Sequence, residues 1–370
     1  MPKAKYKKDA RGYCKTSVWD GTYKSNGRKR YVTLQTKDGS RALEKMVADF
    51  NASVKNRTYT RKSDLLFCQY ARQYIDIYKA NKEANTRAMY QNIVDKHFVA
   101  LQSVKLAEIT RMHYMIVLNN AQGHPRTQQQ IKMVFKQVLR SAAADQLLPS
   151  GIVDDIFQTT EQIKYKPTEK RPLTAYERQA VFSADFSTQD RVFVWILYGC
   201  GLRRGEALAL TTFDIDLKAH VLTVNKAYEF TKNTPTQKGP KSYNGFRTVP
   251  IPDSIYSEID KYVLYLRSVG QVQLFTMRDG ERVSKSSYDK MWRRIINAMQ
   301  AASTEQITGL TAHVFRHNYC TNLCYQIPKI SIKKIAELLG DKEKMVMEVY
   351  NHILLEKEDA AGAVNDAMNF

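Results

Sequence analysis

The chain has few cysteines, five in 370 residues, at Cys14, Cys68, Cys200, Cys320 and Cys324. An odd, scattered set with no Cys-x-x-Cys pair excludes a disulfide framework and a zinc knuckle, so reduced structural thiols are expected. Apolar runs are short as well. None reaches the ~18 residues of a membrane span, and the basic start MPKAKYKK leads into no signal-peptide core. A cytoplasmic protein with no membrane partner is expected. Neither GxxxxGK followed by Ser or Thr nor GxGxxG occurs, so no nucleotide cofactor is expected. His313 and His317 are four residues apart, but Val314 stands where a zinc protease places its glutamate, and no metal site is expected. Internal repeats and low-complexity tracts are absent too.

Negative charge is the other shortage. Asp and Glu number 37 against 57 Lys and Arg, a net +20 that points to a polyanionic partner, nucleic acid first. The excess is uneven: residues 1–62 hold 17 cations and 5 carboxylates, which marks a basic module in its own right.

Hydrophobic patterning divides the chain. Residues 8–56 carry β-favouring runs broken by Asp-Gly and Asn-Gly, then a helix from Gly39-Ser40 with Ser40 as its cap. A three-stranded sheet backed by that helix is the expectation for a module over 1–58. Phe67, Tyr70, Ala71, Tyr74, Ile75 and Tyr78 recur at helical spacing, as do Ile131, Val134, Phe135, Val138, Leu139 and Ala142. Residues 62–160 therefore read as an all-helical domain of about four helices. A polar linker with two prolines and Lys164, Lys166, Lys170 and Arg171 covers 161–173, and Thr174 with Glu177 forms a capping-box pattern after it. The last domain, 174–370, reads as mainly helical with a few antiparallel strands. The fold class is thus α+β and multidomain.

Four stretches stand out in that last domain: GCGLRRGEALAL (199–210), KSYNGFRTVPI (241–251), HVFRH (313–317) and LLGDKEKMVMEVYNH (338–352). Together, in this order and spacing over about 170 residues, they resemble the tyrosine recombinase (lambda-integrase-like) family. The resemblance implies Arg203 as the first catalytic arginine with Glu206 as acidic neighbour, Lys241 on a hairpin, His313 and Arg316 from HxxR, and Tyr350 as nucleophile. In the hairpin motif Ser242 and Gly245 replace the family's Thr and Ser, and Arg247 closes it. His352 matches the common Tyr-x-His ending. Larger members carry an arm-binding sheet module and a helical, SAM-like core-binding domain upstream, the layout already read from residues 1–160.

The residue types suit the chemistry. Attack on a phosphodiester builds negative charge that two permanently charged, forked guanidiniums can meet without a metal. A tyrosine, with an ordinary pKa of about 10, needs nearby cations or a base to act at neutral pH. The departing 5′ oxygen needs a proton, with Lys241 the candidate donor and Lys238 the alternative. The phosphotyrosyl bond conserves the energy of the one broken, so no ATP is required.

Asp341 departs from the family, which has His or Trp there as a hydrogen-bond donor, whereas an ionised carboxylate only accepts. It pairs with an arginine and orients it, is protonated, or leaves its role to another residue; pairing is the favoured expectation. The resemblance further implies core-type and arm-type DNA sites and a homotetramer whose tail (Ala360, Ala361, Val364, Ala367, Met368) docks on a neighbour, docking in cis being the alternative. Lys164, Lys166, Lys170, Arg171, Lys238 and Arg247 are the candidate DNA contacts. An excision factor or DNA-bending host protein is a possible partner, and a nucleoid-associated bacterial location is implied. The expected activity is that of a phage or conjugative-element integrase. Alternatives are a resolvase, an invertase, a type IB topoisomerase, or a catalytically weakened architectural protein.

Overall fold

The computed structural model describes residues 4–23, 26–56, 59–60, 64–149, 151–158, 163–164, 171–239 and 245–357, with side chains to 354. It divides into two units, Met1–Pro167 and Thr168–Phe370, and the division falls inside the basic linker expected at 161–173.

In the first unit Cys14–Tyr23 (β1) pairs antiparallel with Lys29–Thr36 (β2), from Cys14 opposite Thr36 to Tyr23 opposite Lys29. Among the described residues this sheet has two strands rather than the three expected; the remaining pairing is a single bridge between Lys8 and Cys14. The Asp9 carboxylate accepts from the N–H groups of Arg11 and Tyr13 and holds a turn there, which stops a longer strand. The helix Ser40–Lys55 (α1) buries Leu43. Ser40 begins this helix and Gly39, at φ 97°, takes the cap position instead. The Ser40 hydroxyl accepts from the Tyr6 N–H and donates to Glu44.

Phe67–Tyr78 (α2), Ala84–Asn92 (α3), Arg111–Asn119 (α4), Pro125–Ala144 (α5) and Ile152–Phe157 (α6) follow. The six α5 residues at helical spacing, Ile131 to Ala142, are all fully buried. Phe135 among them meets the rings of Phe67, Phe98 and Tyr114, which is why one helix organises this core. On α5, Gln129, Lys132, Met133 and Lys136 line an open cleft of about 420 Å³ with Ile163.

The second unit starts from the capping box: the Thr174 hydroxyl accepts from the Glu177 N–H, and the Glu177 carboxylate accepts from that of Thr174. This caps Ala175–Ser183 (α7), and Thr188–Cys200 (α8), Arg204–Leu208 (α9), Ile215–Asp216 (β3) and Val221–Val224 (β4) come next. Ala227–Thr231 (β5) and Thr234–Lys238 (β6) form an antiparallel hairpin, while Arg247–Pro250 (β7) joins a second small sheet of order β3-β4-β7. Asp253–Ser268 (α10), Lys285–Ala301 (α11), Ala312–Cys324 (α12), Ile332–Leu339 (α13) and Glu343–Lys357 (α14) complete it. The apolar run of α8 is the centre, with Val192, Phe193, Val194, Ile196 and Leu197 buried. A separate apolar cluster, including Cys320, Cys324, Ile335, Val346 and Ile353, packs α12, α13 and α14 together. Among the described residues no helix is long and apolar enough to cross a membrane.

Candidate active site

Two helices end in left-handed glycines, and the site is built at those ends. Gly201 closes α8 at φ 63° and Gly340 closes α13 at φ 62°. The last carbonyls of a helix lack partners within it and form the negative end of its dipole. Here three consecutive carbonyls of α13's end each accept from an arginine: Leu338 from Arg247 Nε (2.8 Å), Leu339 from Arg316 Nη2 (2.6 Å) and Gly340 from Arg203 Nη2 (3.2 Å). The Gly201 carbonyl takes Arg316 Nη1 at 3.0 Å. Each glycine cap therefore serves the arginine carried by a different part of the chain.

Asp341, the residue after the Gly340 cap, joins the two arginines. Its Oδ2 accepts from Arg203 Nη2 at 3.0 Å and from Arg316 Nη2 at 2.8 Å. Burial pushes its carboxyl up, but the Arg316 hydrogen bond and charge, then Arg203, outweigh this and hold it below the ordinary carboxylate value. Asp341 is therefore ionised at neutral pH, and paired with both arginines. Arg316 is almost fully buried; burial, then the Arg203 charge, brings its guanidinium down to about 10, against the opposing pull of Glu206 and Asp341. It stays a cation at neutral pH.

Glu206 forms a second bridge. It accepts from the Arg203 backbone N–H (2.9 Å) and Nη1 (2.9 Å), and from Arg247 Nη2 (2.8 Å). Burial raises its carboxyl, and Arg247 and Arg203 more than reverse that. Three arginines around two carboxylates leave one positive charge at the site.

His313 is exposed on the first turn of α12, three residues before Arg316. Tyr350 lies on α14, partly buried against the cluster that packs this helix on α12 and α13, and His352 is exposed. Lys241, Ser242, Lys166, Lys170 and the tail from 358 lie outside the described residues.

Three of the candidate DNA contacts have internal partners. Arg247 is buried, with its fork on Glu206 and on the Leu338 and Gly245 carbonyls, so it anchors β7 to α13, and its side chain is only 4% exposed. Arg171 grips the fully buried Glu177 through both Nη atoms (2.6 and 2.7 Å), which ties the linker's end to the α7 cap. Lys238 pairs with Glu229 across the β5–β6 hairpin. Lys164 is exposed. The backbone acceptors at the end of α13 are not among the residues expected from the sequence. Their signal was a Leu-Leu-Gly helix ending directly before Asp341, since a left-handed cap turns carbonyls outward.

Among the described residues no group of three His, Cys, Asp or Glu is placed to hold a metal ion. The arginine pair is instead suited to an oxyanion, with forked donors fixed before any ligand arrives.

The sequence profile of the phage integrase family matches residues 173–357. The XerC-like tyrosine recombinase of Caldanaerobacter subterraneus subsp. tengcongensis is 26% identical over 194 residues, 46% of this chain and 48% of that protein. Tyrosine recombinase XerA of Pyrococcus furiosus is 30% identical over 165 residues, 45% of this chain and 50% of that protein. The chain thus spans about half the length of these curated relatives. The Tn1549 transposon integrase, solved in complex with transposon right end DNA, superposes with TM-score 0.64 at 19% identity, over 77% of this chain and 95% of that one. A lambda integrase dimer bound to a core site gives TM-score 0.54 at 16% identity, over 93% of this chain and 94% of that one. These two likenesses establish the fold, a helix-rich α and β chain with small antiparallel sheets.

Proposed function

The chain belongs to the phage integrase family, and on that premise we propose that it is a site-specific DNA recombinase of the tyrosine type. It cuts and rejoins double-stranded DNA through a 3′-phosphotyrosyl intermediate and a Holliday junction, to integrate or excise a mobile element. The observation that carries this reading is the meeting of Arg203 and Arg316 on one carboxylate oxygen, in the unit that also seats the Tyr350 helix. Two guanidiniums aimed at one oxygen are what a phosphodiester's non-bridging oxygens require as charge builds on them.

In the cleavage step the Tyr350 oxygen bonds to phosphorus and the bond to the 5′ oxygen breaks. The phenol proton passes to a base, for which His313 is the candidate, and the departing oxygen takes a proton from Lys241. Rejoining reverses each transfer with the 5′ hydroxyl of another strand. Arg203 and Arg316 hold the phosphate throughout, while Glu206 and Arg247 position Arg203.

The upstream residues extend the grip on DNA. The basic module at 1–58 takes arm-type sites, and the helical domain at 62–160 takes core-type sites, with Lys132 and Lys136 on α5 in reach of backbone phosphates. A homotetramer linked by its tails, an excision factor or bending host protein, and action on the nucleoid belong to the same reading.

A nicked duplex carrying a cleavage site tests it, because loss of the fragment beyond the nick traps the intermediate. A covalent adduct with a free 5′ hydroxyl is expected. DNA binding without any adduct favours the architectural alternative, for which the Asp341 carboxylate on both arginines is the supporting observation. Relaxation of supercoils without strand exchange favours a topoisomerase.

A further inference from the structure

The Asp341 contact does more than orient an arginine. Both hydrogens of Arg316 Nη2 are engaged, one on the Leu339 carbonyl and one on Asp341 Oδ2. Both hydrogens of Arg203 Nη2 are engaged likewise, on the Gly340 carbonyl and on the same Oδ2. The backbone carbonyls are fixed by the helix end. The carboxylate is the one partner in this set on a rotatable side chain, and its side chain is one-third exposed while that of Arg316 is 4% exposed. A single anionic oxygen between two guanidiniums is the arrangement a phosphate oxygen would make.

From this we infer that Asp341 is an internal stand-in for the scissile phosphate, holding Arg203 and Arg316 in register when no DNA is bound and swinging aside when a phosphodiester arrives. The inference rests on the recombinase reading, and adds to it how the site is kept ordered and silent. Two anions cannot share the same two hydrogens, so substrate must displace the carboxylate and compete with it for the site. The benefit is a pair of arginines that neither repel apart nor collect stray anions. The cost is weaker binding of the substrate's phosphate. Asp341 itself lines a cleft of about 670 Å³, with Lys333, Lys334 and Lys342 beside Glu337 and Glu343, which gives the displaced side chain room among charges of both signs.

The test uses the full chain and two variants, Asp341→Asn and Asp341→Ser. Sulfate serves as the oxyanion probe in calorimetric titration, and the nicked duplex reports adduct formation. Both variants remove the competing charge, so sulfate is expected to bind them about tenfold more tightly than it binds the wild type. Half-saturating duplex concentration for adduct formation is expected to drop in parallel. Unchanged or weaker sulfate binding in a folded variant overturns the inference. Should both variants melt early, the wild type decides through the arginine side-chain nitrogen resonances of Arg203 and Arg316. Their joint movement when duplex binds supports displacement, and a bound duplex that leaves them in place overturns it. The outcomes separate cleanly: wild-type chain that makes no adduct defeats the recombinase reading, whereas sulfate affinity speaks only to Asp341.

Discussion

The Arg247 guanidinium lies against the Glu206 carboxylate, Nη2 to Oε2 at 2.8 Å, with side chains only 4% and 7% exposed. This pair links β7 to α9 and so stands behind Arg203, the helix's preceding residue. Removing one partner leaves the other charge buried alone. Arg247→Met is expected to lower unfolding free energy by about 3 kcal/mol in urea melts. The double change with Glu206→Gln is expected to recover part of that, because it removes both charges.

Acid should act through the same carboxylate. Although burial pushes Glu206 up, Arg247 and Arg203 hold its carboxyl below the ordinary value, so the folded chain takes up that proton less readily than the unfolded one. The stability it contributes is present above the ordinary carboxylate range and is lost as pH falls through the lowered value. Urea midpoints measured from about pH 6 to about pH 3 should therefore drop less steeply in Glu206→Gln than in wild type, although that variant starts lower.

Gly201 has a left-handed backbone, and a Cβ there would sit 2.4 Å from Tyr319 Cδ1. Gly201→Ala is expected to cost about 2 kcal/mol of stability, from backbone strain and the displaced ring together. Its carbonyl also holds Arg316, so adduct formation should fall further than the melt alone explains.

Arg204, next to Arg203 in the chain, stacks on Phe230 and Tyr288, with its guanidinium carbon 5.2 and 5.0 Å from the ring centres. Arg204→Ala should cost about 1 kcal/mol by thermal melt, and Arg204→Lys less. Adduct formation at saturating duplex is expected to stay within about twofold of wild type, since the stack tethers α9 to β5 and α11 rather than holding the phosphate.

The five free cysteines are all buried. Native protein should resist alkylation by iodoacetamide over an hour, and five adducts should appear by mass spectrometry once guanidinium is added.

Much of this was legible because periodicity and capping are local. The buried stripe of α5 and the Thr174–Glu177 box follow from residues a few positions apart, and the structure realises both. Arg203 and Arg316 stood out because their motifs carry side-chain chemistry. What escaped was tertiary. Arg247 looks like a surface cation in a hairpin, and only the distant Glu206 and the α13 carbonyls bury it. Those carbonyls have no side-chain signature at all, so their joint role appears only once the helix end is seen. The N-terminal sheet shows the same limit, as the Asp9 turn leaves only the Lys8–Cys14 bridge where a third strand was expected.

In the proposed reaction Tyr350 becomes joined to DNA. Wild-type chain should be incubated with a nicked duplex, digested with nuclease and protease, and the phosphotyrosyl peptide identified by mass spectrometry. The nucleotide remnant is expected on Tyr350, with no adduct in Tyr350→Phe while duplex binding persists. A remnant on any other tyrosine, or an adduct that survives in Tyr350→Phe, contradicts that reaction.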